Sequence, residues 1–169
     1  MKAILLAVKP NQLVKILNGE KTIEVRKSKL PLNVPVYLYC TKGKPYLVNF
    51  GDYEHPYKAG GIELGFDLKN IEGHEATILN GKVVAKCVFN EIYWPENDGK
   101  FFYYAYQISN LEIFDTPKEL SEFNRCDGFI DRYCSKCKYY PLSNNMGVNC
   151  NYRPLTKAPK SWCYVEVEE

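Results

Sequence analysis

The sequence predicts an α+β fold, a small closed or partly closed β-barrel with short helices at its openings. Three observations carry this. Strand-like runs outnumber helical ones, the helical segments are short, and both the first and the last segments read as strands. At 169 residues and 46% hydrophobic content, the chain can bury one sizeable core, so residues 1–169 are expected to form a single domain.

The elements follow in chain order. "AILLAV", residues 3–8, is a compact run rich in branched residues and predicts a strand buried on both faces. Pro10 suits a first helical turn, and Leu13, Ile16 and Leu17 continue at helical spacing until Gly19 supplies a stop. The chain then returns as a strand. Ile23 and Val25 share one of its faces, Thr22, Glu24 and Arg26 share the other, and Lys21 stands at its mouth. On pattern alone the ordinary arrangement turns Ile23 and Val25 to the core and the charges to solvent.

"VPVYLYCT", residues 34–41, alternates again, with Val34, Val36, Leu38 and Cys40 opposite Tyr37, Tyr39 and Thr41. Residues 42–80 are glycine-rich and read as an insertion or flap in which "YLVNF" could be a strand. Asn80-Gly81 signals a hairpin turn before the long strand "KVVAKCVFNEIYW", and "FFYYAYQISNLEIF" continues in the same β-rich manner. Thr116, Pro117 and Glu119 form a capping-box pattern that predicts a short helix to about Phe123. A Cys-rich segment spans 126–150, and "SWCYVEVEE" closes the chain as a strand with Trp162 and Tyr164 opposite Cys163, Val165 and Val167.

Charge is unevenly placed. Residues 1–50 carry nine Lys or Arg against two Glu, residues 51–124 six against thirteen acids, and residues 125–160 seven against two. If the fold brings the ends together, one face becomes positive and suits a phosphate-bearing partner. There is no secretory-signal pattern and no run of transmembrane length, so a cytoplasmic, non-membrane protein is the expectation.

Thiols stay reduced in that compartment, which directs seven cysteines towards metal binding or burial before disulfides. Cys126, Cys134, Cys137 and Cys150, spaced C-x7-C-x2-C-x12-C, can supply four thiolates to a structural zinc (Zn) ion; free buried thiols and a redox dithiol are the other readings. Neither His55 nor His74 has a partner at catalytic or metal spacing. P-loop, dinucleotide and G-x-S-x-G patterns are absent.

The strand with "VKP", the helix ending in "ILNGEK" and the strand "TIEVRK" together resemble the opening of ASCH domains, which are related to the PUA-like RNA-binding barrels. The signature G-x-K-x-x-E-x-R reads Gly19, Lys21, Glu24, Arg26 without a gap. "VYLYCTK" at 36–42 and "APKSWCYVEV" at 158–167 extend the likeness more loosely, the latter towards phage and prophage members. The resemblance implies a PUA-like barrel whose cleft turns Lys21, Glu24 and Arg26 towards RNA or a modified nucleoside.

Lys9, Lys21, Arg26 and Lys42 could then hold phosphate, Glu24 could accept from a base amino group or orient Arg26, and Trp162 or Tyr164 could stack on a base. Binding is preferred to catalysis. Were the chain an enzyme, a ribonuclease using Lys21 and Glu24 or an amidohydrolase acting on acetylated cytidine would be the expectation. The amidohydrolase branch, however, has a threonine nucleophile where this chain has Glu24.

Overall fold

A computed structural model of the chain describes residues 1–51, 61–65, 76–93, 103–125 and 154–167. The fold is mixed α+β, dominated by a seven-stranded sheet. Strands β1 (Lys2–Val8), β2 (Ile23–Arg26), β3 (Pro35–Cys40), β4 (Tyr46–Asn49), β5 (Ile62–Gly65), β6 (Thr77–Ile78), β7 (Val83–Tyr93), β8 (Tyr104–Lys118), β9 (Asn124–Arg125) and β10 (Trp162–Glu166) accompany one α-helix, α1 (Pro10–Leu17). The large sheet runs β2-β8-β7-β3-β1-β10-β9, and a small sheet runs β5-β4-β6.

β1 is central because it is apolar on both faces. Ile4, Leu6 and Val8 enter one core with Val36, Leu38, Phe89, Tyr106 and the helix residues Leu13, Ile16 and Leu17. Ala3, Leu5 and Ala7 enter a second core with Tyr37, Tyr39, Phe123, Cys163 and Val165. The alternation of β3 and β10 divides their side chains between the same two cores, and on β10 this sends Trp162 and Tyr164 towards the first. β1 pairs parallel to β3 and antiparallel to β10, so the two ends of the chain do meet; the Met1 ammonium donates to the Val167 carbonyl at 2.6 Å.

α1 begins at Pro10 as its sequence predicts. Gly19 follows its end at φ 75°, a left-handed conformation that lets the chain turn back into β2.

The structure sharpens one expectation and changes two. Among the described residues the strand ladder is open, β2 and β9 lying at opposite ends of the sheet order, so of the closed or partly closed barrel no closure is seen among them. Register shifts along β7–β8 and β3–β7 are the irregularities by which a long antiparallel sheet bends. β2 nonetheless reaches β1 through a side chain, Arg26 Nη2 donating to the Ala7 carbonyl at 3.0 Å.

Asn80-Gly81 makes a turn but not a hairpin, because β6 pairs with β4 while β7 pairs with β3 and β8. The Asn80 side chain binds the 41–47 segment instead, accepting from Leu47 N–H at 2.6 Å and donating to the Gly43 carbonyl at 2.6 Å. Finally, Thr116 and Pro117 belong to β8, whose ladder extends to Lys118 opposite Val83. The capping box forms three residues later, between Glu119 and Glu122 around a 3-10 turn at Leu120–Glu122, because strand pairing outweighs the local helix signal.

Candidate functional site

β2 reverses the expected sidedness. Ile23 and Val25, 39% and 48% exposed, face outwards, whereas Glu24 is 4% exposed. The alternation of the strand is as the sequence reads, but the charged face is the inner one. It can be inner because every charge there has a partner.

Glu24 sits between two cations. Its Oε2 lies 2.6 Å from Lys21 Nζ and its Oε1 2.7 Å from Arg26 Nη2, with the Lys21 and Arg26 side chains only 23% and 15% exposed. Both carboxylate oxygens are thereby engaged in charge-assisted bonds. The spacing explains how one short strand achieves this. Arg26 is two residues from Glu24 and shares its face, while Lys21 reaches Glu24 from the turn before the strand, where its own N–H is fixed by the Lys15 carbonyl at 2.9 Å.

Surrounding elements hold the cations. Gln12, in the first part of α1, accepts from Lys21 Nζ through Oε1 at 3.0 Å. Arg26 Nη2 also donates to the Ala7 carbonyl, and Nη1 reaches Ser161 Oγ at 3.5 Å. Arg26 Nε is buried with no hydrogen-bond partner. Beside it, Trp162 donates its indole N–H to Ser28 Oγ at 2.7 Å, and the Trp162 and Tyr164 rings meet edge to face at 5.1 Å.

Beneath the cluster the packing is tight. Tyr106, opposite Glu24 in the β2–β8 register, stacks on Phe89 at 5.0 Å and accepts from Leu30 N–H at 2.5 Å. Burial raises its phenol pKa, the Leu30 bond lowers it and Tyr104 raises it further. Burial, then the Glu24 carboxylate, pushes the Cys87 thiol up to about 12. Cys40 is pushed up to about 12 by burial. These thiols are packing groups, not nucleophiles.

Of the residues the sequence singles out, the structure brings Lys21, Glu24 and Arg26 into one cluster and places Trp162 next to Arg26's partner Ser161. Lys9 and Lys42 are exposed and follow the C-terminal ends of the parallel strands β1 and β3, Lys42 lying over Gly81. Among the described residues no side-chain bond joins either lysine to Lys21, Glu24 or Arg26; Lys9 touches the site through its carbonyl, which accepts from Gln12 N–H at 2.9 Å. Trp162 and Tyr164 both pack on the first core, and the Trp162 N–H is committed to Ser28, which limits them as stacking platforms. Cys126, Cys134, Cys137 and Cys150 lie outside the described residues; among the described residues no three His, Cys, Asp or Glu side chains are grouped to hold a metal.

Sequence reasoning misses Gln12, Ser28, Ser161 and the Ala7 carbonyl. Only Ser161 had a signal, its place beside Trp162 in the closing strand. The others are joined to the site by tertiary contact alone.

Comparison with known proteins gives little to set beside this geometry. No family model matches the chain, and no curated protein matches it. Among solved structures, an ASCH protein from Zymomonas mobilis, crystallised as a tyrosine-to-phenylalanine mutant, is similar at 12% identity and a TM-score of 0.42, over 71% of this chain and 77% of that one. No helix among the described residues is long and apolar enough to cross a membrane.

Proposed function

We propose that this chain binds RNA or a modified nucleoside as an ASCH-type, PUA-like protein, through the site built on Lys21, Glu24 and Arg26. The observation that carries the reading is the sidedness of β2. Desolvating three charges costs several kcal/mol per ion before pairing offsets it, and apolar side chains of similar volume often serve stability as well or better. This strand has two such side chains, Ile23 and Val25, and turns them outwards. Charges kept inside at that cost are more readily explained by ligand recognition than by folding.

Geometry favours binding over hydrolysis. Both Glu24 oxygens are held by cations, which leaves the carboxylate poorly placed to take a proton from a substrate. The exposed Lys9 and Lys42 extend the positive surface, and Trp162 bounds the site on the β10 side. A structural zinc at Cys126, Cys134, Cys137 and Cys150 is proposed from the sequence alone, and metal analysis before and after chelation tests it.

The functional test is incubation of the protein and its Lys21→Ala variant with labelled single-stranded RNA and with acetylated cytidine at low salt, where phosphate contacts are strongest. Binding by the native chain that weakens at least about tenfold in the variant is expected, in line with loss of a charge-assisted contact. Absence of any binding overturns the proposal, and turnover lost in the variant replaces binding with catalysis.

A further inference from the structure

We infer that the site takes a phosphodiester group of the RNA backbone and does not read a base amino group. This rests on the RNA-binding reading above and sharpens it towards a strand rather than a free nucleoside. Hydrogen-bond accounting leads there first.

Lysine has three N–H donors and arginine five. Lys21 Nζ serves Gln12 and Glu24, which leaves one donor. Arg26 Nη2 serves Glu24 and Ala7, while Nη1 has a single long bond to Ser161, and Nε–H has none. Gln12 Oε1 faces Lys21, and its amide NH2 adds two further donors. The carboxylate acceptors are enclosed and already engaged. Both Glu24 oxygens face cations, and the residue is 4% exposed.

What the cluster offers a ligand is therefore predominantly donor. An exocyclic base amine would present donors to donors. A base carbonyl could accept, but charge counts against it. One carboxylate between an ammonium and a guanidinium leaves a net +1, and a neutral ligand that displaced water would leave that charge uncompensated.

A phosphodiester answers both requirements, since its non-bridging oxygens only accept and it carries a single negative charge. Arg26 Nη1, held by one long bond to Ser161, is the guanidinium donor that a ligand oxygen can take over. Exposed Lys29 and Lys160, neighbours in sequence of Ser28 and Ser161, suit the adjacent phosphates.

Fluorescence anisotropy with labelled 12-nucleotide oligouridine, oligocytidine and methylphosphonate-linked oligouridine tests this on the native chain. Oligouridine and oligocytidine are expected to bind within about threefold of each other, and the uncharged backbone at least about tenfold more weakly. Lys21→Met should flatten the dependence of log affinity on log salt by about 0.7, the value for one single-strand phosphate contact. Arg26→Lys, which keeps the charge but removes the guanidinium fork and its Nη1 donors, should weaken binding without changing that slope. Equal affinity for the methylphosphonate strand, or a tenfold preference for the amine-bearing oligocytidine, overturns the inference while leaving RNA binding standing. No affinity for any strand sinks both this inference and the RNA-binding reading, leaving a free nucleoside as the ligand.

Discussion

The described residues carry two kinds of ion pair, in different regions. Along β7, β8 and the turn that follows, Lys86 pairs with Glu112 at 2.9 Å, Lys118 with Glu122 at 3.9 Å and Lys82 with Glu119, all through substantially exposed side chains. At the start of the chain, Lys21, Glu24 and Arg26 are mostly enclosed. Both groups pair glutamates with basic side chains, yet the physics differs. Water screens the first group and its desolvation cost is small, whereas the second group must be held by its own partners. Glu112, Glu119 and Glu122 from the acidic middle of the sequence thus form solvated pairs, and the basic beginning contributes the enclosed cluster.

Removing the carboxylate is the largest way to break this contrast. Glu24→Ala leaves two cations facing each other in a poorly hydrated place and should cost about 3–5 kcal/mol in urea denaturation. Replacing the whole cluster sharpens it. The variant Lys21→Met, Glu24→Leu, Arg26→Met should fold to within about 1 kcal/mol of the native chain, since an apolar set avoids desolvation, while binding no RNA. Should that variant retain binding, the cluster is structural.

Tyr106→Phe, beneath the site, strands the Leu30 N–H and should cost about 1–3 kcal/mol with an unchanged fold by circular dichroism.

The buried thiols make a pH-dependent contribution next in line. Cys40 and Cys87 titrate near 12 in the folded chain against an ordinary 9.0. The folded state therefore holds their protons more tightly than the unfolded state. Their contribution is complete below pH 9 and is lost as pH rises from about 9 towards 12, so the denaturation midpoint should fall across that window. Cys87→Ala should make the fall shallower, and thiol reagents at pH 8 should label neither residue in the folded protein. The smallest effect belongs to the solvated group. Lys86→Ala should change stability by less than about 1 kcal/mol and leave RNA binding untouched.

Much of the fold is legible along the chain. The apolar run from Ala3 to Val8 announces a strand buried on both faces, and Pro10, Leu13, Ile16, Leu17 and Gly19 mark α1 with its stop, because each depends on chain geometry within a few residues. The same locality explains the failures. Thr116, Pro117 and Glu119 satisfy a capping rule, but β7 lies alongside and β8 runs on through Thr116 and Pro117 to Lys118, leaving only Glu119 beyond the strand. Asn80-Gly81 satisfies a turn rule, but the strands it joins belong to different sheets.

For the site, the sequence by itself determined that Glu24 and Arg26 share a face and that Lys21 is near enough to join them, since a strand alternates with period two and the preceding turn is short. Which face is inside was decided only by the tertiary structure. Hydrophobicity alone turns Ile23 and Val25 inwards. The outcome is opposite because Gln12 from α1, the Ala7 carbonyl from β1 and Ser161 before β10 converge on the other side with partners for the charges. A burial rule applied to one strand sees the cost of enclosing a charge, and only the assembled elements supply the bonds that offset it.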